Sequence, residues 1–195
     1  IIGVFDAGFP NLSRIDAFSH LFENNQLLMT KDYTSNQIHV EALHEHGLQV
    51  LSILAAERID FKGIAPNADY ILFITEDTRL NTETPIEEYN WLFAAEAADS
   101  AGVDLISSSL GYNTFDAPFT DYTYEDMNGE NTVISRAAAH AFDKGILVVT
   151  SAGNEGNNTW EYITAPADQP KVIAVGSVDT NLNKSAFSSF GPNSI

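Results

Sequence analysis

An α/β fold, a three-layer sandwich with a mainly parallel central sheet and helices on both faces, is what this chain predicts, on three observations. Short apolar runs recur along it, each of the length of one fully buried strand. Between them lie segments with helical start and stop signals of their own. The 195 residues are 44% hydrophobic and contain no cysteine, so one packed core, without disulfides or thiolate-metal sites, must hold the domain.

The elements follow in order. Ile1 to Phe5 is an apolar strand that ends at Asp6. A helix is expected from about His46 to Glu57, apolar on nearly every side through Val50, Leu51, Ile53, Leu54, Ala55 and Ala56. Such a helix belongs in the middle of the domain, where its first residue is held rigidly. Tyr70 to Thr75 is a second strand. Pro85 to Ala101 is a second helix, with Thr84 as N-cap, Pro85 in the first turn, Glu87 completing a capping box and Gly102 as the stop. Val103 to Ile106 follows as a strand, and Phe115 to Glu130 reads as a polar, aromatic and acidic surface excursion. The third helix runs from about Thr132 to Lys144, with an alanine run inside it and Gly145 closing it. Ile146 to Thr150 and Val172 to Val175 complete the strands. Helices that feed directly into strands make right-handed crossovers. In such a sheet ligands bind outside the carboxyl ends of the strands. Asp6, Ser109 to Gly111 and Asn154 fall at those ends, with His46 at a helix start beside them.

Charge narrows the partners. Nine Lys and Arg stand against 27 Asp and Glu, a net charge of −18 spread along the chain. That field repels phosphate backbones and excludes nucleic acid, while it tolerates a cationic peptide or divalent cations. No apolar stretch approaches the ~20 residues of a membrane span, so no membrane partner is expected. The chain starts at Ile1 inside a strand and without a methionine, which suggests a single domain over residues 1–195 that is incomplete at both ends.

Acyl transfer by a serine hydroxyl needs a base, a carboxylate that fixes the base's tautomer, and a donor aimed at the developing oxyanion. His46, Asp6 and Asn154 are residues of the right types at strand ends or a helix start. Each also has a plainer reading: Asp6 and Asn154 as turn formers, His46 as part of a metal cluster with His39 and His44. The spacing of His44 and His46 separates their side chains and argues against metal. His20, His39, His44 and His140 read as ordinary surface or loop residues. Ser107, Ser108 and Ser109 lack the G-x-S-x-G elbow of an internal nucleophile.

Six blocks resemble the subtilisin-like serine peptidases, the subtilases, in the family's own order. They are Asp6-Ala7-Gly8, His46-Gly47-Leu48-Gln49-Val50, Gly63-Ile64-Ala65-Pro66, Ser109-Leu110-Gly111, Ala152 to Gly156, and Val172 to Asp179 followed by Phe187 to Pro192. The resemblance implies that Asp6 orients His46 and that Asn154 is the oxyanion donor. It implies too that Ser109, Leu110 and Gly111 face Ser151, Ala152, Gly153 and Glu155 across a peptide-binding cleft. The family's Gly-Thr-Ser-Met-Ala motif has no counterpart before Ile195, so residues 1–195 alone are expected to be inert and to need the rest of the domain. Ala7 stands where the family has a hydroxyl residue, and Leu48 and Gln49 where it has Thr and His. A peptide or protein substrate and a bacterial, exported parent enzyme are implied. No cofactor is required. Calcium is admitted as a structural ion, with Asp116, Asp121, Glu125 and Asp126 as carboxylates whose spacing fits no defined calcium loop. Two rivals remain, a pseudopeptidase or peptide-binding module with a retained cleft, and a nucleotide-binding α/β protein. The second lacks both a G-x-G-x-x-G turn and a P-loop.

Overall fold

The computed structural model describes residues 1–41, 44–79 and 82–194. Six parallel strands form one sheet in the order β2-β3-β1-β4-β5-β6: β1 Ile2–Asp6, β2 Leu27–Asp32, β3 Tyr70–Ile74, β4 Leu105–Ser108, β5 Leu147–Ser151 and β6 Ile173–Val175. Among the described residues four α-helices accompany them: α1 Ser19–Glu23, α2 His46–Ala55, α3 Ile86–Ala101 and α4 Val133–Asp143.

Because successive strand residues point to opposite faces, β1 and β3 divide their side chains between two cores. Phe5, Ile71 and Phe73 pack with Trp91 of α3, Ile134 of α4 and Ile106 of β4. Val4, Tyr70, Leu72 and Ile74 pack on the other side with Leu51 and Ala55 of α2, and with Phe9, Leu12, Phe18 and Leu21. Every residue of β3 is therefore buried, which accounts for its unbroken apolar run. The start of α4 is tied into the same body: Thr132 accepts from Ser135 N, and buried Glu88 of α3 accepts from Ile134 N at 2.9 Å. A carboxylate at a helix N-terminus also answers the helix dipole.

Several expectations change. The helix that starts at His46 ends at Ala55 and buries chiefly Gly47, Leu51 and Ala55, leaving Ile53 56% exposed, because only one side of it meets the sheet. Thr84 is not the N-cap of α3; Pro85 takes that position without a side-chain cap bond, and Glu87 is buried. Val172 to Val175 yields an exposed outer strand instead of a buried one. Strand β2 and helix α1 were not legible from periodicity. No described helix is long and apolar enough to cross a membrane.

Candidate active site

Asp6 ends β1 with its side chain fully buried. Its Oδ1 accepts from Ala7 N at 2.7 Å and lies 2.7 Å from His46 Nδ1. The contact depends on how closely α2 approaches the end of β1. A Cβ on Gly47 would lie 2.6 Å from the Gly8 carbonyl oxygen and 2.8 Å from Asp6 Cβ, so glycine alone lets the helix dock there. At the helix start His44 Nδ1 accepts from His46 N at 3.2 Å, which satisfies one of the orphan donors of the first turn. His44 is an exposed loop residue, as the sequence suggested, and this bond is its contact with the start of α2. With Nδ1 turned toward Asp6, Nε2 of the half-exposed His46 ring is the nitrogen left for a reacting group.

Asn154 follows β5 in the turn Ala152 to Gly156. The left-handed position of that turn belongs to Gly153, at φ +106°, and not to Asn154. The turn is clamped from the Phe187 to Phe190 segment: Glu155 N donates to Ser189 Oγ at 3.0 Å, Ser189 N to the Gly153 carbonyl at 3.0 Å, and Gly156 N to the Phe187 carbonyl at 2.9 Å. The Asn154 side chain is exposed and lines a cavity of about 610 Å³ together with His46, Ala7, Ser109, Leu110 and Gly111.

Ser109 to Gly111 extend past Ser108, the last β4 residue paired with both β1 and β5. Ser108 is committed to structure: it is 1% exposed, and its Oγ accepts from Trp91 Nε1 at 3.0 Å. The second expected side of the cleft is only partly assembled around this cavity. Ser151 instead lines a neighbouring cavity of about 310 Å³ with Ser107, Ser108, Ser109 and Val175. Ala152 is buried against Ile163 and Ala167, and the Glu155 carboxylate accepts from the Asn158 side chain.

The chain that carries this Asp–His pair and amide side chain, at the carboxyl ends of parallel strands, matches known proteins in sequence and in fold. The Subtilase family, Peptidase_S8, matches residues 1–195. This chain belongs to the subtilase family. It is 30% identical over 193 residues to the thermophilic serine proteinase of Bacillus sp. (strain AK1), covering 97% of this chain and 41% of the relative. It is 32% identical over 150 residues to subtilisin DY of Bacillus licheniformis, covering 75% of this chain and 47% of the relative. The chain thus spans about half the length of the curated relatives it matches. Two solved structures share the fold: the nisin leader peptidase NisP from Lactococcus lactis (TM-score 0.70, 21% identity, 100% of this chain and 60% of that one) and the prenylagaramide maturation protease PagA (TM-score 0.69, 22% identity, 99% and 59%).

Within this subtilase the local chemistry has two features that sequence blocks did not reveal. First, Asp6 Oδ2 is buried and has no hydrogen-bond partner among the described residues, and the neighbouring Ala7 has no hydroxyl to offer it. Second, the hydrogen bond to Asp6 raises the affinity of His46 for its proton; burial opposes this, and the charges of Asp6 and Glu76 add to it. Glu76 itself is pushed up to about 7, first by burial and then by the nearby charges of Glu87 and Asp6. Glu76, Glu83, Glu87 and Tyr112 also line the cavity and were missed as site residues. The only available signal was the density of acids around the start of α3.

Three carboxylates of the acidic excursion are engaged by backbone amides. Asp116 accepts from Glu83 N, Asp121 from Phe115 N, and Asp126 from Thr123 N. Among the described residues no group of three or more His, Asp or Glu is placed to hold a metal ion.

Proposed function

We propose that this chain is the greater part of a serine endopeptidase site that hydrolyses peptide bonds in an extended polypeptide. The observation that carries the reading is the 2.7 Å contact of Asp6 with His46 on the cavity that Asn154 also lines. Asp6 holds the His46 tautomer and stabilises the imidazolium. His46 Nε2 takes the proton of a serine outside residues 1–195 and returns it to the leaving amine. The Asn154 side-chain amide donates to the oxyanion of the tetrahedral intermediate. Ser109 to Gly111, already extended past their last sheet partner, pair with the substrate backbone as an added strand. No cofactor enters these steps. A bacterial, exported parent completes the reading and cell fractionation tests it; calcium is admitted only as a structural ion that the steps do not require, which metal analysis of the purified protein tests.

The missing hydroxyl at position 7 favours one alternative, a cleft that binds peptide without cutting it. Incubation of the full-length protein with an unfolded polypeptide separates the two. The peptidase reading expects new amino termini, formed at a rate that a serine-directed sulfonyl fluoride abolishes. Binding without cleavage would contradict it.

A further inference from the structure

One wall of the cavity beside His46 is strongly acidic. Its lining includes Glu76, Asp77, Glu83, Glu87 and Asp116, and no described lining residue is Lys or Arg. Asp77 is already engaged, since its carboxylate holds the Arg79 guanidinium, with Nε at 2.7 Å. The others have no cationic partner in an ion pair among the described residues. Glu87 is 1% exposed; its Oε1 accepts from Asp77 N at 2.8 Å, while its Oε2 has no hydrogen-bond partner among the described residues. Glu83 Oε1 likewise has no donor from elsewhere among the described residues, the two carboxyl groups meeting each other, and the hydroxyl of Tyr112, a residue only 2% exposed, has no partner at all among them. Buried polar atoms are almost always satisfied. Here several that are not satisfied line one cavity. They come from the lead and first turn of α3 and from the segment that continues Ser109 to Gly111.

The missing partner must supply hydrogen-bond donors and positive charge together. A bare metal ion needs several ligands converging on a point, and no described group of three His, Asp or Glu provides that. A guanidinium or ammonium on a flexible stem carries several donors and can meet carboxylates spread across a cavity. A peptide lying along Ser109 to Gly111 toward His46 brings its own side chains into this space.

We propose that Glu76, Glu83, Glu87 and Asp116, with the Tyr112 hydroxyl, form a specificity pocket that takes an Arg or Lys side chain of the peptide substrate. This rests on the peptidase reading and adds a substrate class to it. The protonation of the wall supports it: burial, then the facing Glu87, pushes Glu83 up to about 9, so the pair holds a proton at neutral pH. An entering cation makes that proton unnecessary and releases it.

The test uses the full-length protein and a library of peptides. Arg or Lys should be enriched at one fixed position relative to the cut bond. In a double variant, Glu83→Gln with Glu87→Gln, the ratio of kcat/KM for a basic peptide over its norleucine counterpart should fall about 10- to 100-fold. Cleavage without basic enrichment, or an unchanged ratio in a variant that still melts cooperatively, overturns the pocket and leaves the peptidase reading intact. If no peptide is cut, the peptidase reading fails and the pocket is decided by titration calorimetry. Agmatine binding that weakens about tenfold or more in the double variant supports the pocket. Binding of calcium chloride but not agmatine, or of neither, overturns it.

Discussion

Asp6, behind His46, and Glu87, on the acidic wall of the same cavity, are buried carboxylates, 0% and 1% exposed, in opposite surroundings. Asp6 faces a group that can become positive: its Oδ1 is shared between the Ala7 amide and the His46 ring. Glu87 faces other acids, and burial outweighs its hydrogen bonds and raises its affinity for a proton. Burial alone therefore does not make a carboxylate suited to proton transfer chemistry; the partner across from it decides. The wall with the internal partner fits chemistry, and the wall without one fits recognition.

A large effect on turnover separates chemistry from recognition. In the full-length enzyme Asn154→Ala should lower kcat about 10²- to 10³-fold with little change in KM, because the amide answers an oxyanion present only in the transition state. Steady-state kinetics decide it. A rise in KM alone would move Asn154 to the recognition side.

A smaller effect tests the one unsatisfied atom on the catalytic wall. Ala7→Ser places a hydroxyl beside Asp6 Oδ2, and a hydrogen bond there is worth about 1 kcal/mol of stability. Urea unfolding at neutral pH measures it. An unchanged or lower midpoint would show that Oδ2 needs no protein donor.

A pH-dependent effect probes the acidic wall. Glu83 binds its proton more tightly folded, at about 9, than unfolded, at about 4.5, so its contribution to stability is complete below 4.5 and lost as pH rises through 9. Glu83→Gln cannot ionise. It should raise the Tm relative to wild type by more at pH 8 than at pH 5, and calorimetric scans at the two pH values check this. An equal difference at both would mean that the wall is solvated.

What the sequence made legible follows from range. The places of Asp6 and His46 in the fold could be read because a strand end and a helix start are local signals, and that of Asn154 because its turn is a contiguous block; the roles proposed for them came from the family resemblance. Glu87 was read only as the capping partner of Thr84, three residues away, whose backbone amide its carboxylate does meet. Its burial comes from tertiary packing that places it beside Tyr112 and Asp116, far along the chain. Strand β2 was missed because its burial is patchy, with Leu28 and Met29 exposed, so neither an apolar run nor a clean alternation marks it. Ile173 and Val175 misled in the other direction, being apolar residues on an exposed outer strand.

The central claim is that the Asp6–His46 pair serves a serine outside residues 1–195. Labelling the full-length protein with a fluorophosphonate, and locating the modified residue by mass spectrometry, tests it most directly. The account predicts modification of one serine beyond Ile195, at a rate that falls about 10⁴-fold or more in His46→Ala. Modification of Ser107, Ser108 or Ser109, or labelling indifferent to His46, would contradict it.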